Sequence, residues 1–393
     1  GKAALTSATT AAYNTGVGYR SLLSVTDSQY NTAFGYETVR STTTGNNNIG
    51  IGAFALYENT TASDNVAVGR NALKLNTTGA SNTAVGTWAL DANTTASNNT
   101  AFGTSALSDN ETGEYNTAVG SYALDANTTG GNNSCFGVNA LGANTTASQN
   151  TAIGQDAMRN NTTGASNTAV GYVALYNNTT ADNNIAIGYS ALKANTTGNS
   201  NVAVGVDALD ANTTGVQNIA IGRIVLENNT TGGSNTSVGH GSMEENTTGA
   251  ENAALGRQAL EDNTTGSANT AVGNHSLRDN TTASNNTAVG HDSLVENTTG
   301  HENCAIGKNS LMDVTTGDNN VGVGYDTGSY VNELTTGSFN ILLGNYAKTS
   351  ASDSEYQIVL GYNAYGTANN TFTVRGSSGV YNESNTTAWQ TTS

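Results

Sequence analysis

A glycine returns every 17 residues through most of this chain, and the residues around it return with it. The series runs Gly18, Gly35, Gly52, Gly69 and onward unbroken to Gly324, then resumes at Gly344 and Gly361 after three extra residues. A period this short and this strict means one small unit stacked on copies of itself, since a single unit cannot bury an apolar face alone. One unit reads Asn167-Thr168-Ala169-Val170-Gly171, then Ala174-Leu175, then Asn178-Thr179-Thr180. With Asn167 as position 1, Gly171 is position 5, Leu175 position 9 and Asn-Thr-Thr positions 12 to 14. A frequent Gly follows at 15, and two variable residues close the unit at 16 and 17.

Each position implies a role. Position 4 is large and apolar: Val17, Phe34, Ile51, Val68, Phe102, Ile153, Leu255. Position 9 is Leu from Leu22 to Leu311, apart from Val39, Met158 and Met243. Position 3 is small: Gly16, Ala33, Ala67, Ala84, Ala118, Ala169. Positions 2 and 4 share one face of a short strand and position 3 points the other way. The unit is expected to be one flattened coil with strands at positions 1–4 and near 7–10, filled by positions 4 and 9. Asn-Thr-Thr-Gly recurring at this period would break any helix. The fold expected is all-β, a parallel β-solenoid of about 21 coils spanning roughly 100 Å at strand spacing.

The absence of proline beside 46 glycines fits a backbone committed to ladders, because a stacked strand cannot spare its N–H. The Asn side chains at positions 1 and 12 are expected to stack as amide ladders. The same Asn-Thr-Thr matches the glycosylation acceptor pattern at Asn76, Asn93, Asn127 and Asn195. A modification every ~4.8 Å would crowd itself, so the turn role is preferred. Cys135 and Cys304 lie about 48 Å apart at that spacing, which excludes a disulfide.

Residues 1–361 are expected to form the solenoid shaft, with an insertion around 325–339 where Gly328 at position 9 interrupts the core. Residues 362–393 are expected to be an irregular C-terminal segment. The chain opens in mid-repeat, with Thr9-Thr10 at positions 13 and 14, so further sequence is expected upstream.

With 13 Lys+Arg against 30 Asp+Glu and a net charge of −17, nucleic acid and anionic membrane are poor partners. No apolar run is long enough for a membrane span. Acidic residues gather at positions 10 and 11: Glu227, Glu244, Glu245, Glu261, Asp262, Asp279, Glu296 and Asp313. Such an edge keeps a rod soluble, and a cation column is the alternative. A smooth repeated edge offers no unique carboxylate pair across a cleft, so no enzyme is expected. No Cys or second His stands at ligand spacing to His240, His275, His291 or His301 within one unit, so no metal and no cofactor is expected. Tyr19, Tyr36, Trp88, Tyr122, Tyr172, Tyr189 and Tyr325, at positions 6 and 7, are candidate contacts for the sugar rings of a host polysaccharide. The paired threonines at 13 and 14 raise an ice-binding face, which is disfavoured because only one of the two columns can face outward.

The Asn-Thr-Ala-Val-Gly-x-x-Ala-Leu core resembles the head repeats of YadA-type trimeric autotransporter adhesins, and more closely the longer repeats of bacteriophage tail fibres. The resemblance covers about residues 1–361 and implies a left-handed β-roll with three chains side by side. Asn385 to Ser393 resembles the junction before the intramolecular chaperone of phage fibres and endosialidase-type spikes, where cleavage follows a Ser. Ser393 is therefore expected to be a processed C-terminus. The function implied is the structural shaft of a homotrimeric virion tail fibre, extracellular and serving host attachment. The head of a bacterial trimeric adhesin is the alternative.

Overall fold

The structure, a computed structural model, describes residues 1–329 and 333–375. It divides into two compact units, 1–218 and from 219 onward. Each unit is a parallel β-solenoid, with no helix among the described residues. The first carries twelve three-residue strands, β1 (Thr15–Val17) to β12 (Val202–Val204), including β10 (Thr168–Val170) and β11 (Ile185–Ile187). The second carries ten, β13 (Ile219–Ile221) to β22 (Phe372–Val374). Register follows the repeat: Thr168, Ala169 and Val170 pair with Ile185, Ala186 and Ile187, each 17 residues on. β22 still pairs in parallel with β21 (Ile358–Leu360), although it follows after 14 residues rather than 17.

Only the strand at positions 2–4 forms. The second strand expected near 7–10 is replaced by turns in which positions 7 and 9 take positive φ, as in Val173 (51°) and Leu175 (53°). These turns still bond from coil to coil: Leu175 N–H donates to the Ala191 carbonyl at 2.9 Å and Ser190 N–H to Tyr172 at 3.2 Å. The backbone is thus satisfied without extended geometry.

The interior is also lined differently from the expectation. Position 9 is inside, with Leu175 fully buried. Position 4 is not: Val17, Phe34, Ile51, Phe102, Ile153 and Leu255 are all exposed, Phe34 to 59%, and Val68 is only half-buried. The small position 3 faces inward instead, with Ala33, Ala67, Ala84, Ala118 and Ala169 buried. Space explains the choice. A Cβ on Gly322, a position-3 glycine, would stand 2.6 Å from Cγ of Leu311, at position 9 of the preceding repeat unit. The position-9 leucine leaves room across from it for small residues such as Ala169 and Cys135.

Much of the rest of the interior is polar and hydrogen-bonded. Asn178 Nδ2 donates to Asn161 Oδ1 one coil back at 2.7 Å, so the expected amide ladder runs along position 12. At position 1 the amide oxygen also accepts from backbone, Asn150 Oδ1 from the Asn167 N–H at 2.9 Å, and in some coils the side-chain bond forms beside it, as from Asn133 Nδ2 to Asn116 Oδ1 at 3.1 Å. Asn167 Nδ2 and Asn178 Nδ2 then both donate to the Ala181 carbonyl, at 2.8 and 3.0 Å, which clasps the two sides of the coil. The acceptor-pattern residues Asn76, Asn93, Asn127 and Asn195 are buried in this ladder, as their turn role requires. In the second unit the ladder stops where Val314 and Leu334 take position 12. Asn297 Oδ1, facing that step, has no donor. This is what loss of the next amide dictates.

Gly328 does not leave the core open. Leu311 Cδ2 and Leu342 Cδ1 stand 2.7 and 3.3 Å from where its Cβ would be. Leu342 sits at position 3, where most coils have Ala, so a large residue at 3 replaces the one missing at 9. Residues 330–332 of the insertion lie outside the described part.

This packing gives a direct comparison. Leu175→Ala should cost about 2–5 kcal/mol of local stability. Tyr176→Ala, at the half-buried next position, should change melting little. Thermal unfolding by circular dichroism measures both.

Candidate functional site

Stacking turns every outward position of the unit into a column, so surface chemistry here comes in stripes. The widest stripe lies on the strands. Positions 2 and 4 flank the inward position 3 as a ridge; position 4 is apolar and position 2 is Thr, Ser or apolar, with Ile185 and Ile187 each 39% exposed on β11. In the second unit Ile219, Ile221, Ile306 and Leu343 continue the same pattern. Period-2 geometry makes this ridge inevitable once the methyl side is inside.

The aromatic candidates form a second set of stripes. Tyr19 stacks on Tyr36 (5.3 Å between centroids, 16° between planes), and Tyr36 meets Phe54 edge-on at 5.3 Å. Tyr172 stacks on Tyr189 at 5.7 Å. Tyr325 meets Tyr346 edge-on at 5.4 Å, and Tyr346 in turn meets Tyr362. Arg20 lies over Tyr19 at 5.1 Å and Arg70 over Trp88 at 5.8 Å, each holding its ring by cation–π attraction. Trp88 and Tyr122 stand apart from the stacked sets, at position 7. Tyr122 borders an open cleft of about 510 Å³ with Asp125, Asn139, Arg159 and Asn160. The cleft exists because Gly142 occupies position 10, where its neighbours carry Asp125 and Arg159. Ser393 and the junction-like segment before it lie outside the described residues.

Sequence reading missed two features. Position 17 carries its own exposed aromatic pairs, Tyr13–Tyr30 (5.1 Å, 6°) and Phe339–Tyr356 (4.9 Å, 2°). The signal was the 17-residue step, obscured by treating that position as variable. The other is a cluster of His275, His291 and Asp292, whose ligand atoms lie within 4.8 Å of one another. It spans adjacent coils, so a search within one unit could not find it.

Of the paired threonines, Thr179 is turned in far enough for its Oγ1 to donate to the Thr196 carbonyl at 3.1 Å, and Thr180 is exposed. One threonine column faces outward. Cys135 is buried and Cys304 half-buried, and both are free thiols.

The acidic edge has a measurable consequence. Partial burial raises the Asp313 carboxyl to about 6, helped by Glu333 and Glu296 and opposed by a hydrogen bond from Ser329. Asp91 rises to about 6, again chiefly by burial, with Asp109 adding to the shift and a backbone hydrogen bond and Lys74 opposing it. Burial, followed by Glu227 and Glu261, pushes Glu244 up as well. A carboxyl whose folded pKa lies above its unfolded value of 3.8 favours the folded chain when protonated. That contribution is complete below the unfolded value and lost as pH rises through about 6. The chain should therefore melt higher near about pH 5 than near about pH 7.5, and Asp313→Asn should flatten the difference. Melting curves across that range test it, and a midpoint that rises with pH would contradict it.

A scan against protein-family models and a search of curated proteins return no match to this chain.

Proposed function

We propose that this chain is the structural shaft of a homotrimeric extracellular fibre, of the kind that carries a phage tail toward its host. The observation that carries the reading is the outward apolar residue at position 4, exposed at Phe34, Phe102 and Ile187 in the first unit and at Ile221, Leu255 and Leu343 in the second, and joined at position 2 by Ile49, Ile185, Ile219 and Ile341. Isolated exposed apolar residues are ordinary, but a continuous stripe of this kind marks a surface that is covered in use. The ridge has the pitch of the solenoid itself, so the surface that matches it over many coils is another copy of the same solenoid. Three copies packed ridge to ridge would bury it around an axis, and a left-handed coil is the hand that the repeat resemblance favours. The acidic columns and exposed aromatic stacks then remain on the outside. The mechanism is mechanical: coil-to-coil backbone bonds give a stiff spacer, and the aromatic stripes and the Gly142 cleft offer the surfaces for host polysaccharide.

Multi-angle light scattering tests the assembly. A mass about three times the chain's 40.0 kDa is expected. A 40.0 kDa species at micromolar concentration would refute the trimer and leave the solenoid standing.

A further inference from the structure

The repeat places position 7 of one coil directly over position 7 of the next, and at one place in the second unit this aligns His275 with Asp292. His291, at position 6, completes the group. His275 Nδ1 lies 3.1 Å from Asp292 Oδ1, and His291 Nδ1 lies 2.6 Å from Asp292 Oδ2. The two imidazole centroids are 5.9 Å apart.

The protonation of His275 can be worked out from its far side. Its Nε2 lies 3.1 Å from Gln258 Oε1. That amide cannot be turned around without loss, because Gln258 Nε2 already donates to Glu261 at 2.7 Å. An oxygen therefore faces His275 Nε2, which must carry a proton to donate. In the neutral ring the lone pair is then on Nδ1, aimed at a carboxylate oxygen that is also an acceptor. His291 presents Nδ1 to the other oxygen of the same carboxylate. His275 Nδ1, His291 Nδ1 and the Asp292 carboxylate thus converge as three donor groups within 4.8 Å of one another, the kind of set that a dication gathers.

The geometry points to a binding site for a first-row divalent transition metal ion of the Zn²⁺ type, held by His275 Nδ1, His291 Nδ1 and the Asp292 carboxylate. Two imidazoles and one carboxylate suit such ions, whereas Ca²⁺ and Mg²⁺ favour all-oxygen shells. The Gln258 carbonyl orients His275 from behind, the arrangement that metal-bound imidazoles commonly have. Asn274 stands at position 6 one coil before His291, and its Oδ1 is shielded from solvent without a hydrogen-bond partner. A water completing the metal's shell would have such an acceptor to donate to. The ligands come from two successive coils, so the ion would tie those coils together. The site stands whether or not the chain assembles as a fibre, since none of its groups lies on the strand ridge.

The full chain, stripped of metal by chelator and dialysed, would be titrated with Zn²⁺ in a calorimeter. One saturable Zn²⁺ per chain is expected, with no heat from Ca²⁺. His291→Gln and Asp292→Asn should each weaken binding by about tenfold or more, and Gln258→Ala should weaken it through loss of ring orientation. His240→Ala, at an exposed histidine outside the cluster, should bind as the parent does. Zn²⁺ should also raise the melting temperature of the parent and not that of His291→Gln. His291 is largely exposed, so its variant folds and decides the matter even if changes at His275 do not. Absence of saturable binding, or equal affinity in His291→Gln and the parent, would overturn the site and leave a His–Asp–His group bridged by protons alone.

Discussion

Gly171→Val is expected to abolish cooperative folding of the first unit around its coil, at a cost above about 4 kcal/mol. Gly171 has φ of 141°, where a residue with a Cβ is strained and a β-branched one more so. Strain alone would be tolerable, at about 1–3 kcal/mol. The larger problem is stacking: a Cβ on Gly171 would stand 2.3 Å from the Gly188 carbonyl oxygen of the next coil. That oxygen belongs to backbone and cannot swing aside. The coils would have to separate, breaking Gly188 N–H to Val170 (2.8 Å) and Leu175 N–H to Ala191 (2.9 Å) together. Gly171→Ala meets the same oxygen and should also be severe. Thr180→Val, on the exposed threonine column, should be nearly neutral. Limited proteolysis and circular dichroism distinguish these outcomes, and a Gly171→Val chain melting within a few degrees of the parent would mean that the stacking geometry is wrong.

Ile185→Asp combined with Ile187→Asp is expected to reduce the trimer proposed above to monomer while leaving the coil intact. Both side chains point away from the interior, so the solenoid loses no core contact. In a shared interface the same change would bury charged carboxylates against apolar surface, without partners and repeated in every subunit, at a cost of several kcal/mol each. The prediction has two parts that fail separately. If mass drops and circular dichroism holds, the ridge is the contact surface. If mass is unchanged in a trimer, the chains meet elsewhere. Tyr172→Ala and Tyr189→Ala, in an exposed aromatic stack, should leave the mass unchanged and bear only on sugar binding.

The two experiments address different levels of the same design. The glycine column sets how closely coils stack within a chain, and the strand ridge sets what the chain presents to others. Position 3 connects them. Its methyl is inside because Leu175 fills the facing space, and its two neighbours are therefore outside.

The 17-residue step by itself determined the solenoid, its register and the burial of position 9, since strict recurrence of Leu has no other physical use in a stacked coil. It also determined the amide ladder, because Asn at position 12 recurs exactly where the next Asn can bond to it. The direction of the strand was a different matter. Alternation with period 2 separates Thr168 and Val170 from Ala169 but is unchanged when the strand is turned over. Hydrophobicity favoured Val170 inside, and the narrow space opposite Leu175 put Ala169 there. The turns at positions 7 and 9 were equally hidden, because positive φ at Leu175 or Val173 runs against the local preference of both residues and is imposed by coil-to-coil hydrogen bonding. Local groups such as Tyr172 with Tyr189, or His275 with Asp292, were present in the sequence as residues one period apart. Only the stacked structure gave the side-chain directions that bring them into contact.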